Sequence, residues 1–261
     1  MTEPMKVISF NANGIRAATR KGFFDWFNQQ DAEFLCIQET KAQLAQLNDD
    51  IYFPKDYHYA YTDASKKGYS GVAIYARKKP NKIIHTLGID WADEEGRYIQ
   101  FDYDQFSIAS IYLPSGSSGD VRQEYKMAFL DKYKHILAEQ IAQSRDFIIC
   151  GDINIVHKEI DIKNWKQNQK TSGVLPEERA WLDHIFDELG WVDAFRQVNK
   201  EPHQYTWWSN RGQARAKNVG WRIDYQIITP GLQDCVVSDG IYKEQWFSDH
   251  APLTISYDYQ I

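Results

Sequence analysis

Several polar residues in this sequence stand at the ends of apolar runs, and their types suggest chemistry. "SFNANGIRA" places Asn11 and Asn13 after one apolar stretch, and "LCIQETK" places Glu39 after another, followed by Lys41. "IYLPSG" carries Tyr112 just before Pro114, and "DFIICGDIN" ends in Asp152 and Asn154. "GWRIDYQII" contains Asp224, and "SDHAP" holds Asp249 and His250 ahead of a final apolar run. If a strand runs through to Asn154, Asp152 and Asn154 are i and i+2 and project from one face. Each site alone also has a plain structural reading. Asp152 and Asn154 make a turn after a strand, Glu39 caps a helix, Asp224 pairs with Arg222, and His250 is a hydrogen-bonded core residue. Their recurrence at run ends calls for a common explanation.

Together they suit hydrolysis of a phosphodiester. Phosphates and carboxylates repel each other unless a cation intervenes. Glu39, with Asn11 nearby, offers the hard oxygen ligands that suit Mg²⁺. Such a cation polarises a phosphoryl oxygen and stabilises a leaving oxygen. Asp152 can take a proton from an attacking water that Asn154 holds in line. His250, next to Asp224, can donate to a non-bridging oxygen as its charge grows, and the phenol of Tyr112 can do the same.

The elements that must position these groups recur along the chain. Strand-like runs are "KVISFN", "FLCIQE", "GVAIYAR", "YIQFDY", "FSIASIYL", "DFIICGDIN", "WRIDYQIIT" and "APLTISYDY", with helical patterns over 20–30, 122–143 and 176–189. The last helix opens on Pro176 and acids and ends at Gly190, as helix start and stop signals require. This alternation predicts a layered α/β fold. The shared habit of apolar body and polar tip predicts two packed sheets whose tips meet along one edge. No low-complexity linker divides the 261 residues, so 1–261 reads as one domain.

Composition sets the class. Apolar residues at 43% and aromatics at 15% suit a chain with a sizeable core. No apolar stretch approaches the roughly 18 residues that span a bilayer, and "MTEPMKVISF" lacks the pattern of a secretion signal. Cys36, Cys150 and Cys235 are far apart and in or beside apolar runs, which predicts buried free thiols and a cytoplasmic location. A net charge of −6 argues at first sight against a polyanionic partner. Its distribution weakens that argument. Residues 65–82 hold Lys66, Lys67, Arg77, Lys78, Lys79 and Lys82 with no acid, and 163–170 hold Lys163, Lys166 and Lys170 with none. Residues 211–222 carry four cations, Arg215 and Lys217 among them beside Asn218, again with no acid. Such loops bind phosphates while other faces stay acidic, and the Trp residues in two of them point to nucleic acid.

These motifs carry a resemblance that runs nearly end to end. The sequence resembles the exonuclease III / apurinic-apyrimidinic endonuclease family, within the endonuclease/exonuclease/phosphatase superfamily. "GDIN" and "SDHAP" mark the superfamily; "IDIKNWK" with "KNVGWRIDY" is specific to the DNA-repair branch. The resemblance implies a four-layered α/β sandwich of the DNase I-like kind, two mixed sheets flanked by helices. It implies a Mg²⁺-dependent hydrolase, with Mn²⁺ able to substitute, that cuts double-stranded DNA 5′ to abasic sites and clears 3′-blocked ends as a monomer. Glu39 matches the metal ligand, with Asn11 and Asp249 close to the metal. Asp152 and Asn154 match the water-activating pair, Asp224 and His250 the dyad at the phosphate, and Tyr112 the catalytic tyrosine. Trp207, Trp221 and Ile223 fall where the family forms the pocket for the base-free sugar.

The sequence departs from the pattern at a few positions. Asn13 stands where some members have Asp, and Ser115 where some have Asn. Ser118 sits where certain relatives insert a large cation into the duplex, and Gln167 at a loop position where side-chain size affects which substrates fit. Two rival functions fit the superfamily motifs less well. A phosphatase of a small ester has no use for the basic, Trp-bearing loops, and a DNA-binding protein without catalysis is expected to have lost Glu39, Asp152 or His250.

Overall fold

The strand-like runs are largely apolar because both faces of the central strands are covered. The computed structural model describes residues 3–261. Its first half runs β1 (Met5–Asn11), α1 (Ile15–Arg20), α2 (Phe23–Phe27), β2 (Phe34–Gln38), β3 (His58–Thr62), β4 (Val72–Ala76), β5 (Lys82–Ile84), α3 (Asp90–Asp93) and β6 (Tyr98–Asp102). Next come β7 (Phe106–Tyr112), α4 (Asp120–Ile141), β8 (Asp146–Asp152), α5 (Pro176–Asp183), β9 (Val192–Asp193) and α6 (Ala194–Val198). The chain closes with β10 (Trp207–Trp208), β11 (Gly220–Trp221), β12 (Asp224–Ile228), β13 (Val236–Ile241) and β14 (Leu253–Tyr257). Two six-stranded sheets result, ordered β13-β14-β1-β2-β4-β3 and β5-β6-β7-β8-β12-β9. Both are mixed, since β1 pairs parallel with β2 and β7 parallel with β8 while their other neighbours are antiparallel.

Side-chain alternation divides the apolar residues into three layers. Val7, Cys36, Ile108, Ile148 and Leu253 meet in the core between the sheets. Ile8, Phe10 and Ile37 point the other way, onto Phe23, Phe24 and Phe27 of α2. Ala109, Ile111 and Ile149 face Phe129, Tyr133 and Leu137 of α4 and Trp181 of α5. The predicted helix–sheet–sheet–helix sandwich is therefore the observed one. Among the described residues, no helix is long and apolar enough to cross a membrane. All three cysteines are free; Cys36 and Cys150 are buried, whereas Cys235 is only partly so.

Some boundaries differ from expectation. The helix expected over 20–30 is two short ones, broken at Gly22, whose φ of +94° leaves the helical region. The helix expected over 122–143 runs from Asp120 to Ile141, and the one from Pro176 passes into a π-helical turn, His184–Glu188, before Gly190. Short edge strands such as β3, β5 and β13 carry no strand-like apolar run, because their exposed faces interrupt the pattern.

The inter-sheet core changes character along its length. At one end it is Met5, Phe34 and Phe106; four residues further along each strand the inward positions become Ser9, Gln38 and Ser110, joined by hydrogen bonds of Gln38 Nε2 to Ser110 Oγ at 3.0 Å and Ser9 Oγ at 3.4 Å. The next inward positions are the polar tips themselves.

Candidate active site

The register of the second sheet aligns three of the predicted residues. Tyr112 pairs with Asp152, and Asp152 with Asp224, so one row across β7, β8 and β12 presents a phenol and two carboxylates. All three lie on the inward face that Ile148 and Cys150 occupy lower down. Opposite them, Asn11 ends β1 and Glu39 follows β2. His250 precedes β14 and bridges to Trp207 of β10. The tips of the two sheets thus meet, as predicted.

Hydrogen bonds tie the two sheets together at this edge. Asn11 Nδ2 donates to Glu39 Oε1 at 3.0 Å and to Asp152 Oδ2 at 2.9 Å, while its Oδ1 accepts from the Asn13 amide at 2.9 Å. The Asn11 carbonyl thus takes one hydrogen bond while its amide clamps the two carboxylates. His250 Nδ1 lies 2.8 Å from Asp224 Oδ2, and its Nε2 lies 3.6 Å from Asp152 Oδ2. Asp224 is therefore not the partner of Arg222, which is buried against Asp161 and Asp193 instead. Asp249 lines the same cavity, where Oδ1 accepts from Asn13 Nδ2 and Oδ2 from Trp207 Nε1, both at 3.1 Å.

The strand argument for Asn154 also needs correction. β8 ends at Asp152, and Asn154 adopts the left-handed conformation with φ +55°. Asp152 Oδ1 accepts from the Asn154 amide at 2.9 Å, Asn154 Nδ2 donates to the Leu113 carbonyl at 2.9 Å, and Lys126 Nζ donates to the Asn154 carbonyl at 2.7 Å. Asn154 still reaches the same cavity as Asp152, but through a held turn. Asn13, Glu39 and Lys41 share its positive φ, at +42°, +49° and +48°. Non-glycine residues in that region cluster where a structure must aim side chains.

Burial makes the site electrostatically demanding. Asp152, Asp224 and His250 are nearly inaccessible. Burial raises Asp152 well above the carboxylate range, with Asp224 and Glu39 adding to the rise and His250 opposing it. Burial disfavours a charged His250, but Asp224 and Asp152 overcome that and raise its pKa to about 10. Burial also raises Tyr112, reinforced by Glu39 and Asp152, so it stays a neutral donor. Three acids crowd one imidazole, and Asp224 Oδ1 is buried with no partner. One ligand atom each from Glu39, Asp152 and His250 lie within 4.8 Å of one another. The hard anionic oxygens that Glu39 and Asp152 bring together here fit a metal cation.

The cavity over this cluster has a volume of about 320 Å³, and Trp207, Trp221 and Ile223 form its apolar side. Trp207 and Trp221 pair across β10 and β11 with ring centroids 5.3 Å apart at 76°. A Cβ on Gly173, whose φ is +95°, would stand 2.8 Å from the Trp221 ring, so glycine is what lets this wall close. Both Trp residues are half-buried and Ile223 is buried. Trp221 is thus neither a core ring nor fully exposed.

Comparison with known proteins decides the family. The sequence model of the Endonuclease/Exonuclease/phosphatase family matches residues 8–250. The chain is 37% identical over 253 residues to an exodeoxyribonuclease of Bacillus subtilis, covering 96% of this chain and 98% of that protein. It is 37% identical over 257 residues to a DNA-(apurinic or apyrimidinic site) endonuclease of Dictyostelium discoideum, covering 97% of this chain and 71% of that protein. This chain belongs to the endonuclease/exonuclease/phosphatase family. The solved structure of an AP endonuclease from Archaeoglobus fulgidus matches with a TM-score of 0.88 at 25% identity, covering 98% of this chain and 100% of that one.

On this family scaffold the basic runs separate into those beside the cavity and those away from it. Lys163, Lys166 and Lys170 are exposed and in no ion pair among the described residues. Their loop is anchored by Trp165, which packs toward Trp207 and Trp221 and stacks on Arg179 at 4.6 Å. The run over 65–82 is not one patch. Lys66 and Lys67 precede β4 at the cavity end, whereas Arg77–Lys82 follow it at the far end, where Arg77 pairs with Asp31. In 211–222, Arg211 and Lys217 are exposed, Asn218 is half-buried and accepts from Trp208 Nε1 at 3.0 Å, and Arg222 is buried. Arg215 is sandwiched between the Trp208 and Trp246 rings, at 4.6 and 4.8 Å. Ser115 lines the cavity, and Ser118 and Gln167 are exposed.

Two supporting residues escaped the sequence reading. Lys126 is buried in an ion pair with Glu178 beneath the cavity. Its signal was present: Lys126 falls in the helical series with Phe129, Leu130, Tyr133 and Leu137, the inward face of α4. Arg97 is buried 5.0 Å from the Tyr112 ring, donates to the Tyr112 carbonyl at 2.9 Å and pairs with Glu95 at 2.6 Å. No pattern around "EEGRYIQ" distinguishes it from a solvated cation.

Proposed function

We propose that this chain, as one catalytic domain over 1–261, is a Mg²⁺-dependent DNA-repair phosphodiesterase. It cuts duplex DNA 5′ to abasic sites and removes 3′ blocking groups or nucleotides, working as a monomer in the cytoplasm. The observation that carries this reading is the register row Tyr112–Asp152–Asp224 facing Glu39 across the two sheets, with His250 2.8 Å from Asp224. The names borne by the relatives, exodeoxyribonuclease and AP endonuclease, support the same reading.

In this reading Asp152 takes a proton from the attacking water, which Asn154 aligns from its held turn. Asp224 fixes the His250 ring so that its other nitrogen faces the phosphoryl oxygen as negative charge builds there. Tyr112, kept protonated by burial, donates to the same phosphate. Glu39, with Asp152 beside it, holds Mg²⁺, for which Mn²⁺ can substitute, and the bound ion supplies charge neutralisation at the phosphate. Asn11 keeps the two carboxylates in register, and Asp249 positions Trp207 by accepting its indole N–H. Trp207, Trp221 and Ile223 admit a bare deoxyribose and exclude a nucleotide by bulk. Lys163, Lys166, Lys170, Arg215, Lys217 and Asn218 line the approach of the duplex, Arg215 through the rings it supports.

The test uses purified protein on duplexes carrying an abasic site, a 3′-phosphate or a recessed 3′ end, with Mg²⁺ or excess chelator. Cleavage that needs the ion and prefers lesions to an intact duplex is the expected result. Full activity in chelator, or faster turnover of a small phosphate monoester than of any duplex, would overturn it.

A further inference from the structure

Of the nine tryptophans, Trp246 alone is exposed, with 53% of its surface open. It stands two residues before Ser248, in the segment that delivers Asp249 and His250 to the cavity. Its ring is not loose. One side lies 4.8 Å from the Arg215 guanidinium, which stacks in turn 4.6 Å from Trp208 and donates to the Ser248 carbonyl at 3.0 Å. Neighbouring Phe247 is buried against Tyr242 and Trp26, so the backbone beneath Trp246 is fixed. A large apolar ring held rigidly in water by a cation is preorganised for a contact, since little side-chain freedom remains to be lost on binding.

The surroundings indicate what that contact is. Gln245 Nε2 donates to the Lys21 carbonyl at 2.6 Å, which brings the end of α1 against this segment. Residues 14–22, "GIRAATRKG", contain Arg16, Arg20 and Lys21 with no acid, and all three are exposed. Lys243 and Glu244, both exposed, cancel each other beside the ring. An exposed aromatic face with unpaired cations nearby, on the segment that leads to the cavity-lining Asp249 and His250, has the composition of a nucleic-acid contact.

We propose that Trp246, braced by Arg215, stacks on a DNA base or sugar on one flank of the cleaved phosphate, with α1 meeting the backbone there. This rests on the DNA reading of the cavity and adds to it a second flank, distinct from the Lys163–Lys170 loop.

The test measures equilibrium binding of labelled abasic-analogue duplexes in chelator, for wild type, Trp246→Ala and Trp246→Phe, with thermal melting to establish that each variant folds. Trp246→Ala should weaken binding on the order of tenfold, the scale of losing one stacking contact, and Trp246→Phe should retain most of it. Two further duplexes are shortened, one on each side of the lesion. The Trp246→Ala effect should vanish on one and persist on the other, because a single flank meets the ring. Unchanged affinity in a folded Trp246→Ala, or equal loss on both shortened duplexes, refutes the assignment. Failure of wild type to bind any duplex would instead refute the DNA reading itself.

Discussion

Lys126 offers the sharpest test of how the active-site turn is held. Both Lys126 and Glu178 are fully buried, so removing the lysine leaves a carboxylate with no cation in the interior. Glu178 Oε1 keeps the Gly173 and Leu175 amides, at 2.7 and 3.2 Å, but its other oxygen loses its partner. Breaking such a pair from one side costs about 3–5 kcal/mol. For a chain of this size, where 1 kcal/mol shifts the melting temperature by about 2–4 °C, Lys126→Met should melt roughly 6–20 °C lower. The double variant Lys126→Met, Glu178→Gln removes the stranded charge and keeps the amide acceptor, so it should recover at least about half of the loss. Activity should not recover with it. The Asn154 carbonyl has still lost its donor, and the turn keeps only its bonds to Asp152 and Leu113. Relaxation of a left-handed residue toward ordinary backbone is favourable by roughly 1 kcal/mol or more, enough to misplace the Asn154 amide for much of the time. Single-turnover cleavage of an abasic duplex by the double variant should therefore be about tenfold slower or worse at a temperature where it is folded. Calorimetry and rapid-quench kinetics on the two variants decide the matter. A Lys126→Met protein melting within about 2 °C of wild type would refute the reasoning about the pair. A stable double variant with the wild-type rate would refute the role of the turn.

Asp152→Asn should lose about two to four orders of magnitude in single-turnover rate while binding DNA as well as or better than wild type, since it removes a proton acceptor and a negative charge together. A rate within a few-fold of wild type would sink its role. Replacing Lys163, Lys166 and Lys170 with Ala should reduce the magnitude of the log affinity against log salt slope by about 2 to 3, one counterion per lysine; an unchanged slope places the loop off the DNA. Asp161 gives a pH prediction. Burial disfavours its charge, but Arg222 and Arg196 overcome that and depress its pKa from 3.8 to about 2. A depressed carboxylate stabilises the fold above its unfolded pKa. About 2 kcal/mol should therefore be present above pH 4 and lost as pH falls toward 2. Asp161→Asn should be less stable than wild type at neutral pH, with the difference shrinking through that window in urea titrations; a constant difference from pH 6 to pH 2 would contradict it.

Much of this arrangement was legible in the sequence because strands impose a strict rule. Once "FSIASIYL", "DFIICGDIN" and "WRIDYQIIT" are strands with both faces buried, a polar residue at each tip must lie at the rim, and Tyr112, Asp152 and Asp224 do so in one row. What the alternation rule misses is everything placed by irregular backbone. Asn154, Asn13 and Glu39 are aimed by positive φ, which a list of residue types does not announce for Asn or Glu as it does for Gly. Long-range partners were equally hidden. Asp224 and Arg222 are two apart, but β12 begins only at Asp224, so Arg222 lies before the strand and meets Asp161 and Asp193 while Asp224 meets His250. The charge runs misled for the same reason. A five-residue strand separates the two halves of 65–82 by its whole length, and one cation of 211–222 lies inside the protein.

The crowding of acids at this rim has a consequence measurable without any substrate. Glu39, Asp152 and Asp224 converge with His250 as the cation bonded to them, while Lys126 is committed to Glu178 and the Lys41 ammonium reaches only to 3.5 Å of Glu39. The fold tolerates this because the far end of the inter-sheet core, around Met5, Phe34 and Phe106, is apolar and closed. The repulsion is nevertheless carried by the native state and absent from the unfolded chain, where the carboxylates separate and are hydrated. A divalent cation that binds the folded cluster alone must therefore raise stability, by about 1.4 kcal/mol when its concentration is ten times its dissociation constant. For a chain of this size that is a rise of roughly 3–6 °C in melting temperature. Glu39→Gln removes one charge from the cluster without emptying the space. It should melt at or above wild type in chelator, because one repulsion is gone, and should gain less from Mg²⁺ because a ligand is gone too. The two effects have opposite signs, so a purely structural role for Glu39 cannot mimic both. Melting curves of the two proteins across a Mg²⁺ series give the answer, and an equal Mg²⁺-dependent rise in both would remove Glu39 from the metal site.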